Sequence, residues 1–177
     1  MRSHFTFTFP VVPVVLLAAC ATAACTINSG PGGGGGGSDP GTPVKQQALA
    51  GTIDGKAFTA KVALASPGFN GSSSRSITVY ATAATCDNQP QPADGDLQIL
   101  VDVDDWTAGN AYELSLSHSA TFVEQKGSTP DNFIVTTGRV EVTDPGSATQ
   151  QGTFSVRATS SDYGNIEGQV PVSNCAQ

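Results

Sequence analysis

The sequence contains few charged residues, and few of those are basic. Charged residues make up 13% of the 177, with 8 Lys plus Arg against 15 Asp plus Glu, which gives a formal net charge of −7. A hydrophobic fraction of 38% with so little charge argues against a chain that is disordered throughout. The deficit of basic residues argues against nucleic acid as a partner, because that binding needs a basic stripe.

Residue types that carry catalysis or hold metals are also scarce. The chain has two histidines and one tryptophan, and His118 is the only histidine beyond residue 20. A Gly-x-Ser-x-Gly motif is absent, although the many serines leave a Ser-His-Asp triad open. One histidine without a free pair of cysteines disfavours a zinc site. We therefore expect His118 to be a surface strand residue and the protein to be non-enzymatic.

The sequence lacks an apolar run long enough to span a membrane. Its longest, Phe5–Ala19, has 15 residues and is interrupted by Pro10 and Pro13, whereas a spanning helix needs roughly 20 apolar residues. A short positive start containing Arg2 precedes the run. This arrangement predicts a secretory signal over residues 1–19 that is removed on export.

The end of this run carries a more specific motif, Leu17-Ala18-Ala19-Cys20, with an aliphatic residue and two small residues before a cysteine. It resembles the lipobox of bacterial lipoproteins. The resemblance implies that the signal is cut before Cys20 and that Cys20 carries acyl chains on its thiol and its new amino group. Two or more chains make membrane anchoring stable. Since Ala21 and not Asp follows the cysteine, the resemblance implies an outer-membrane lipoprotein in a Gram-negative host.

Two alternatives to lipidation at Cys20 stay open. The sequence Ala21-Thr22-Ala23 would suit an ordinary Ala-x-Ala signal, in which case Cys20 is incidental. Cys25 is a second candidate for the lipid, but Thr22 at its third upstream position fits the lipobox pattern poorly.

Residues 20–47 are rich in glycine, proline and serine, and include six consecutive glycines at Gly32–Gly37. This composition predicts a flexible tether with a root-mean-square reach of about 30 Å. Neither a preceding strand nor a following Gly-Lys-Ser/Thr is present, which excludes a phosphate-binding glycine loop.

Residues 48–177 show apolar and polar residues in alternation, which is typical of half-buried strands. The runs with this period are Phe58–Leu64, Ile77–Ala83, Leu97–Val103, Tyr112–Leu116, Val140–Thr143, Phe154–Ala158 and Ile166–Val172. Turn signals such as Asp54-Gly55 and Asp94-Gly95 separate them. The pattern predicts an all-β domain, an antiparallel β-sandwich or open barrel of about 8–9 short strands.

Finer expectations follow from the same alternation. Tyr112 falls on the inward face, whereas Tyr80 and Tyr163 are expected to be exposed. Pro171 lies inside the last run, which predicts that this strand is at an edge of the sheet.

Cys86 and Cys175 form the expected disulfide of the domain. Export implies an oxidising compartment, and the other cysteines are accounted for by the lipid at Cys20 and by the position of Cys25 in the tether. A reactive thiol at Cys86 is the alternative, but no base lies near it in the sequence.

The layout of the domain resembles small β-domain lipoproteins that have no assigned activity. The matching fragments are Gly51–Phe58, Gly109–Tyr112, Gly152–Val156, Gly168–Val172 and the terminal Cys175. The resemblance implies the fold and the envelope location, and it implies no catalytic residues.

Two acidic groupings are candidates for a calcium site, because calcium takes six to eight oxygen ligands. One is Asp87, Asp94 and Asp96, and the other is Asp102, Asp104 and Asp105, just before Trp106. The alternative is a solvated acidic rim, since EF-hand spacing is absent. Asp102 and Asp104 share one strand face and could also converge as a hydrolytic carboxylate pair.

Trp106 has two interpretations. It could be an exposed platform for a sugar beside Asp104 and Asp105, or it could fold over the end of the sandwich and cover the core. The second is favoured, because sugar-binding sandwiches usually present several coplanar aromatics and aromatic residues are only 7% of this chain.

These observations lead to one main hypothesis about function. The protein is expected to be a non-enzymatic lipoprotein, held in the membrane by its N-terminal lipid, that displays a β-domain to bind an envelope protein or glycan. The alternatives are a calcium-stabilised carbohydrate-binding or adhesion module, and a small hydrolase that uses Asp102 or Asp104. No cofactor is expected under the main hypothesis, and calcium is the cofactor of the first alternative.

Overall fold

The computed structural model describes residues 41–68 and 73–175, and this part of the chain is all-β, as predicted. Among these residues no helix is long and apolar enough to cross a membrane. The predicted signal segment, Cys20, Cys25 and the glycine run lie outside the described residues. The eleven strands are β1 (Ala50–Ile53), β2 (Lys56–Thr59), β3 (Val62–Pro67), β4 (Arg75–Tyr80), β5 (Leu97–Val103), β6 (Ala111–Glu113), β7 (Ala120–Lys126), β8 (Thr129–Val135), β9 (Gly138–Asp144), β10 (Gly152–Ser160) and β11 (Gly164–Asn174).

The strands form a single curled sheet in the order β6-β9-β10-β11-β3-β4-β5-β7-β8. The hairpin of β1 and β2 joins it where β1 pairs with β11. Every named strand pair is antiparallel except β11 with β3, which run parallel with Val172 opposite Ala63. The strand count exceeds the expected number partly because the run Phe58–Leu64 is broken at Ala60 and Lys61 into β2 and β3.

The inner face of the curled sheet encloses one continuous hydrophobic core. Phe58, Phe122 and Phe154 are its largest fully buried side chains, and they come from β2, β7 and β10. Strands far apart in the sheet order therefore pack over the same core, which explains how a single sheet buries its apolar face without a helix.

A second, smaller core lies on the opposite face of β3 and β4. It consists of Val62, Leu64 and Tyr80, against which Cys86 and Cys175 pack. Tyr80 is only 5% exposed, so the expectation that it faces solvent is wrong. The segment after β4 folds back over this face, and burial raises the pKa of Tyr80 above its ordinary value.

Cys86 and Cys175 form a disulfide, as predicted, with their Cα atoms 5.2 Å apart. The bond joins the segment that covers the second core to the residue that follows β11. The backbone N–H of Cys175 also donates a 2.8 Å hydrogen bond to the carbonyl of Ala65 in β3. The disulfide therefore links the segment that covers the second core to the sheet beneath it.

Residues 43–48, which we call the strap, cross the outer face of β9, β10 and β11 before β1 begins. Val44 is 4% exposed, and its N–H donates to Glu141 Oε1 at 3.2 Å. Ala48 bridges to Gln169 in parallel. Residues 43–47, which the sequence places in the tether, thus pack against the sheet.

The strap passes so close to β11 that only glycine fits beneath it. Gly168 has a φ of 144°, and a Cβ at this position would lie 2.6 Å from the carbonyl oxygens of Gln47 and Ala48. A side chain here would need both a strained backbone and displacement of the strap.

β11 is an interior strand, so the expectation that Pro171 marks an edge is wrong. On one side β11 pairs with β10. On the other side, Gln169 bridges to Ala48 of the strap and Val172 begins the pairing with β3. Pro171 lies between these two contacts, where the missing N–H of proline breaks no ladder on that side.

We expect loss of the disulfide to destabilise the domain without changing its fold. Closing a chain separation of 89 residues contributes about 4 to 5 kcal/mol in the chain-entropy model. The double variant Cys86→Ser/Cys175→Ser should unfold at a lower urea concentration than the wild type. A reductant should lower the midpoint of the wild type only, and equal midpoints for the two proteins in oxidising buffer would contradict the expectation.

Candidate functional site

The acidic grouping of Asp102, Asp104 and Asp105 sits at the end of β5, but each carboxylate has its own partner. Asp102 accepts a hydrogen bond from the hydroxyl of Ser76 on the neighbouring strand. Asp104 Oδ2 lies 2.7 Å from a ring nitrogen of His118. Asp105 Oδ1 accepts a 2.6 Å hydrogen bond from Thr107. Over residues 41–68 and 73–175, no group of three or more His, Cys, Asp or Glu side chains is placed to hold a metal ion.

The other acidic grouping stabilises turns. Asp94 Oδ1 accepts a 2.7 Å hydrogen bond from the N–H of Gly127, and Asp96 Oδ2 accepts one of the same length from the N–H of Ala93. Asp87 is exposed on the segment that carries Cys86. The carboxylates of Asp94 and Asp96 thus bond to backbone donors, which is the ordinary role of Asp in loops.

His118 lies in the bend between β6 and β7, so the expectation that it is a strand residue is wrong. It is half-buried and belongs to a chain of hydrogen bonds that the sequence did not predict. Its Nε2 meets Asp104, and its Nδ1 lies 3.2 Å from the hydroxyl of Ser117. The ring stacks on Tyr112 with centroids 5.8 Å apart, and Tyr112 packs against the core as expected. These contacts fix the turn from Ser115 to His118 against the loop that follows β5.

Trp106 covers the core, as the favoured interpretation has it. Its ring lies 5.9 Å from the ring of Phe154. Its Nε1–H donates a 3.1 Å hydrogen bond to the carbonyl of Pro145, and its backbone N–H donates to Ser73. The polar edge of the indole is thus satisfied by the protein, which is the usual condition for a largely buried tryptophan.

A pocket of about 390 Å³ opens beside Trp106, and its lining residues are Arg75, Trp106, Pro145, Gly146, Ser147, Ala148, Asn174 and Cys175. A second pocket of about 250 Å³ shares Ser147, Ala148 and Asn174 with the first. The loop between β9 and β10 therefore separates two concave surfaces next to the disulfide. Trp106 thus belongs both to the cover of the core and to a pocket wall.

A row of charged side chains runs across the outer face of β6, β9, β10 and β11. Arg139 pairs with Glu141 at 2.6 Å and with Glu113, and the hydrogen bonds that its guanidinium donates to these carboxylates raise the pKa of Arg139 above its ordinary value. Arg157 lies opposite Arg139 in the β9–β10 ladder and 3.6 Å from Glu167. Carboxylates therefore flank both guanidinium groups along the row.

The strap lies over this row of charged side chains. Arg157 is 4% exposed and donates a hydrogen bond to the carbonyl of Pro43 at 3.5 Å. Lys45 Nζ lies 2.7 Å from Glu167 Oε2. A guanidinium group that is buried without carboxylate partners destabilises the fold. The contacts of Arg157 and Glu167 with the strap therefore fix the place at which the chain enters the domain.

A second charged cluster lies near the β1–β2 hairpin. Glu124 on β7 is 3% exposed, accepts a 2.5 Å hydrogen bond from Lys56 and lies 3.8 Å from Lys126. The hydrogen bond from Lys56 lowers the pKa of Glu124 below its ordinary value, against the opposing effect of burial. This pair ties β2 to β7 on the inner side of the sheet.

We expect the Lys56–Glu124 pair to make stability depend on pH. A carboxyl whose pKa is depressed in the folded state stabilises the fold above its unfolded pKa, and that contribution is lost as pH falls through the folded value. The difference in unfolding free energy between the wild type and Lys56→Met should therefore be largest near neutral pH and narrow below the ordinary pKa of 4.5. Urea unfolding across this range measures it.

The matched control is Lys61→Met, which removes the same charge from an exposed position next to β3. The difference in unfolding free energy between Lys61→Met and the wild type should not narrow as pH falls below the ordinary pKa of glutamate. If the difference in unfolding free energy between Lys56→Met and the wild type stayed constant with pH, the assignment of the pH dependence to the Lys56–Glu124 pair would be contradicted.

A scan against protein-family models, a search of curated proteins and a search of solved structures each found no match to this chain. Function is therefore inferred from the chain's own residues.

Proposed function

We propose that the protein is a non-enzymatic lipoprotein of the cell envelope that displays its β-domain for binding on the outer membrane. The observation that carries this proposal is the motif Leu17-Ala18-Ala19-Cys20 at the end of an apolar run too short to span a membrane. Acyl chains on Cys20 would hold the protein at the bilayer.

The disulfide supports an exported location. Such bonds persist in oxidising compartments and are rare in the cytosol. The bond uses Cys86 and Cys175, which leaves Cys20 and Cys25 as the cysteines available near the N-terminus.

The position of the strap supports display on a tether. The strap packs on the outer face of β9–β11 with Val44 buried, so residues 20–42 are the segment that would link the lipid to the domain. A glycine-rich segment of that length has a reach of about 25 Å. The domain would thus stand clear of the lipid headgroups, held to its tether at one fixed point.

Each carboxylate of the hydrolytic pair considered above has a partner of its own. Asp102 accepts a hydrogen bond from Ser76, and Asp104 lies within hydrogen-bond distance of His118. Hydrolysis by two carboxylates needs both groups to flank one bond of the substrate, and neither of these two lines the pocket beside Trp106.

Carbohydrate binding is the second candidate function, and the pocket beside Trp106 favours it. The calcium half of that hypothesis has less support, because the two acidic groupings bond to separate partners.

We expect lipidation to depend on Cys20. Replacing Cys20 by Ser removes the acceptor thiol, so the protein should lose incorporation of labelled palmitate and leave the detergent-soluble membrane fraction. The matched control, Cys25→Ser, should keep both the incorporation of labelled palmitate and the place of the protein in the membrane fraction. Intact mass of the wild type should place the mature N-terminus at Cys20 with the added mass of acyl chains. An unlipidated mature chain, or a label that follows Cys25, would overturn the assignment.

A further inference from the structure

We propose that the pocket beside Trp106 binds one pyranose ring of an envelope glycan, with the sugar stacked on the indole. This site gives the proposed binding role its ligand class, and it rests on that role.

The size of the pocket suits a single ring. Its volume of about 390 Å³ lies at the lower end of the range of roughly 300–1,000 Å³ that small-molecule sites occupy. The adjoining pocket of about 250 Å³ shares Ser147 and Ala148 with the first and lies on the other side of the same loop.

Trp106 offers the ligand an apolar surface rather than a hydrogen-bond donor. Its Nε1–H is already donated to the carbonyl of Pro145, so the part of the indole that remains for a ligand is the ring. The face of an aromatic ring is electron-rich and attracts the slightly positive C–H groups that line one face of a pyranose. Pro145 and Ala148 continue this apolar wall.

Asn174 supplies the polar side of the pocket. Its Nδ2 donates a 2.5 Å hydrogen bond to the carbonyl of Pro145, which fixes the amide. Its Oδ1 is buried and accepts no hydrogen bond from the described residues. A buried acceptor without a donor destabilises the state that contains it, and a sugar hydroxyl can supply that donor when the Asn174 side chain turns Oδ1 towards the pocket.

The neighbouring side chains have the same polar and uncharged character. Ser147 lines both pockets, and Thr149, Gln150 and Gln151 line the second. Hydroxyl and amide groups both donate and accept hydrogen bonds, as sugar hydroxyls do. Such a lining recognises a neutral polyol better than it recognises an ion.

Charge narrows the ligand further. The chain has 15 Asp plus Glu, yet none of them lines either pocket, and the one charged lining residue is Arg75. Its guanidinium donates a 2.7 Å hydrogen bond to the carbonyl of Ser74. The pocket therefore suits a neutral sugar and disfavours a cationic ligand.

The single tryptophan of the chain makes the test specific, because all tryptophan emission comes from a residue in the wall of this pocket. The full protein, in a detergent without a sugar headgroup, is titrated with methyl glucopyranoside, methyl galactopyranoside, N-acetylglucosamine and glucuronic acid. We expect a saturable change in tryptophan emission for at least one of them, with half-saturation on the order of 1 mM.

A blocking variant tests whether the change in tryptophan emission comes from binding in the pocket. Ala148 is exposed on the pocket wall, so Ala148→Phe should fill the site without disturbing the core and should abolish the saturable change. The matched control, Ala57→Phe, places the same bulk at an exposed position on β2 and should bind as the wild type does.

Two results would overturn the sugar site. One is the absence of a saturable change with every probe in the wild type, and the other is binding by Ala148→Phe that equals binding by Ala57→Phe. Either result leaves lipidation at Cys20 untouched, since that is measured separately. Loss of lipidation together with intact sugar binding would overturn the envelope display and keep the pocket.

Discussion

The pairing of β11 is the constraint on which the rest of the structure depends. This strand pairs along its length with β10, and on its other side it contacts β1, the strap and β3 in turn. The parallel contact with β3 joins the half of the sheet that contains β9 and β10 to the half that contains β4, β5 and β7. Without it, the two halves of the inner core would have no common strand, and the apolar faces that now enclose Phe122 and Phe154 would be exposed.

Each feature with functional interest lies on or next to this strand. The strap crosses it above Gly168, so the point where the tether would reach the domain is set by β11. Its last residue, Asn174, lines the pocket beside Trp106, and Cys175 follows directly with the disulfide. The strap lies near the middle of β11, and the pocket lies at the end of this strand. The proposed tether and the pocket are thus connected through one continuous strand. A binding site at the end of a strand that is held on both sides needs little ordering when a ligand arrives.

The sequence predicted what depends on local pattern and composition. Alternation in Leu97–Val103 gave the correct inward set, because one face of that strand meets the core and the other meets solvent. It failed for Tyr80, whose outward face is covered by a distant segment that the disulfide holds. The contact between His118 and Asp104 joins two loops, and no period in the sequence reports which loops meet. The disulfide was predictable from the count of cysteines and the expected export, whereas the pocket depends on how the loop after β9 packs against Asn174.

Hydrogen exchange of the full protein, followed strand by strand, tests the role of β11 most directly. Backbone amides in the strand that holds a fold together open only with global unfolding, whereas edge strands open locally. We predict the slowest exchange in β11 and in the parts of β10 and β3 that pair with it, and faster exchange in the edge strands β6 and β8. Exchange in β11 as fast as in β6 and β8 would contradict the account, since the two halves of the sheet could then separate without unfolding the core.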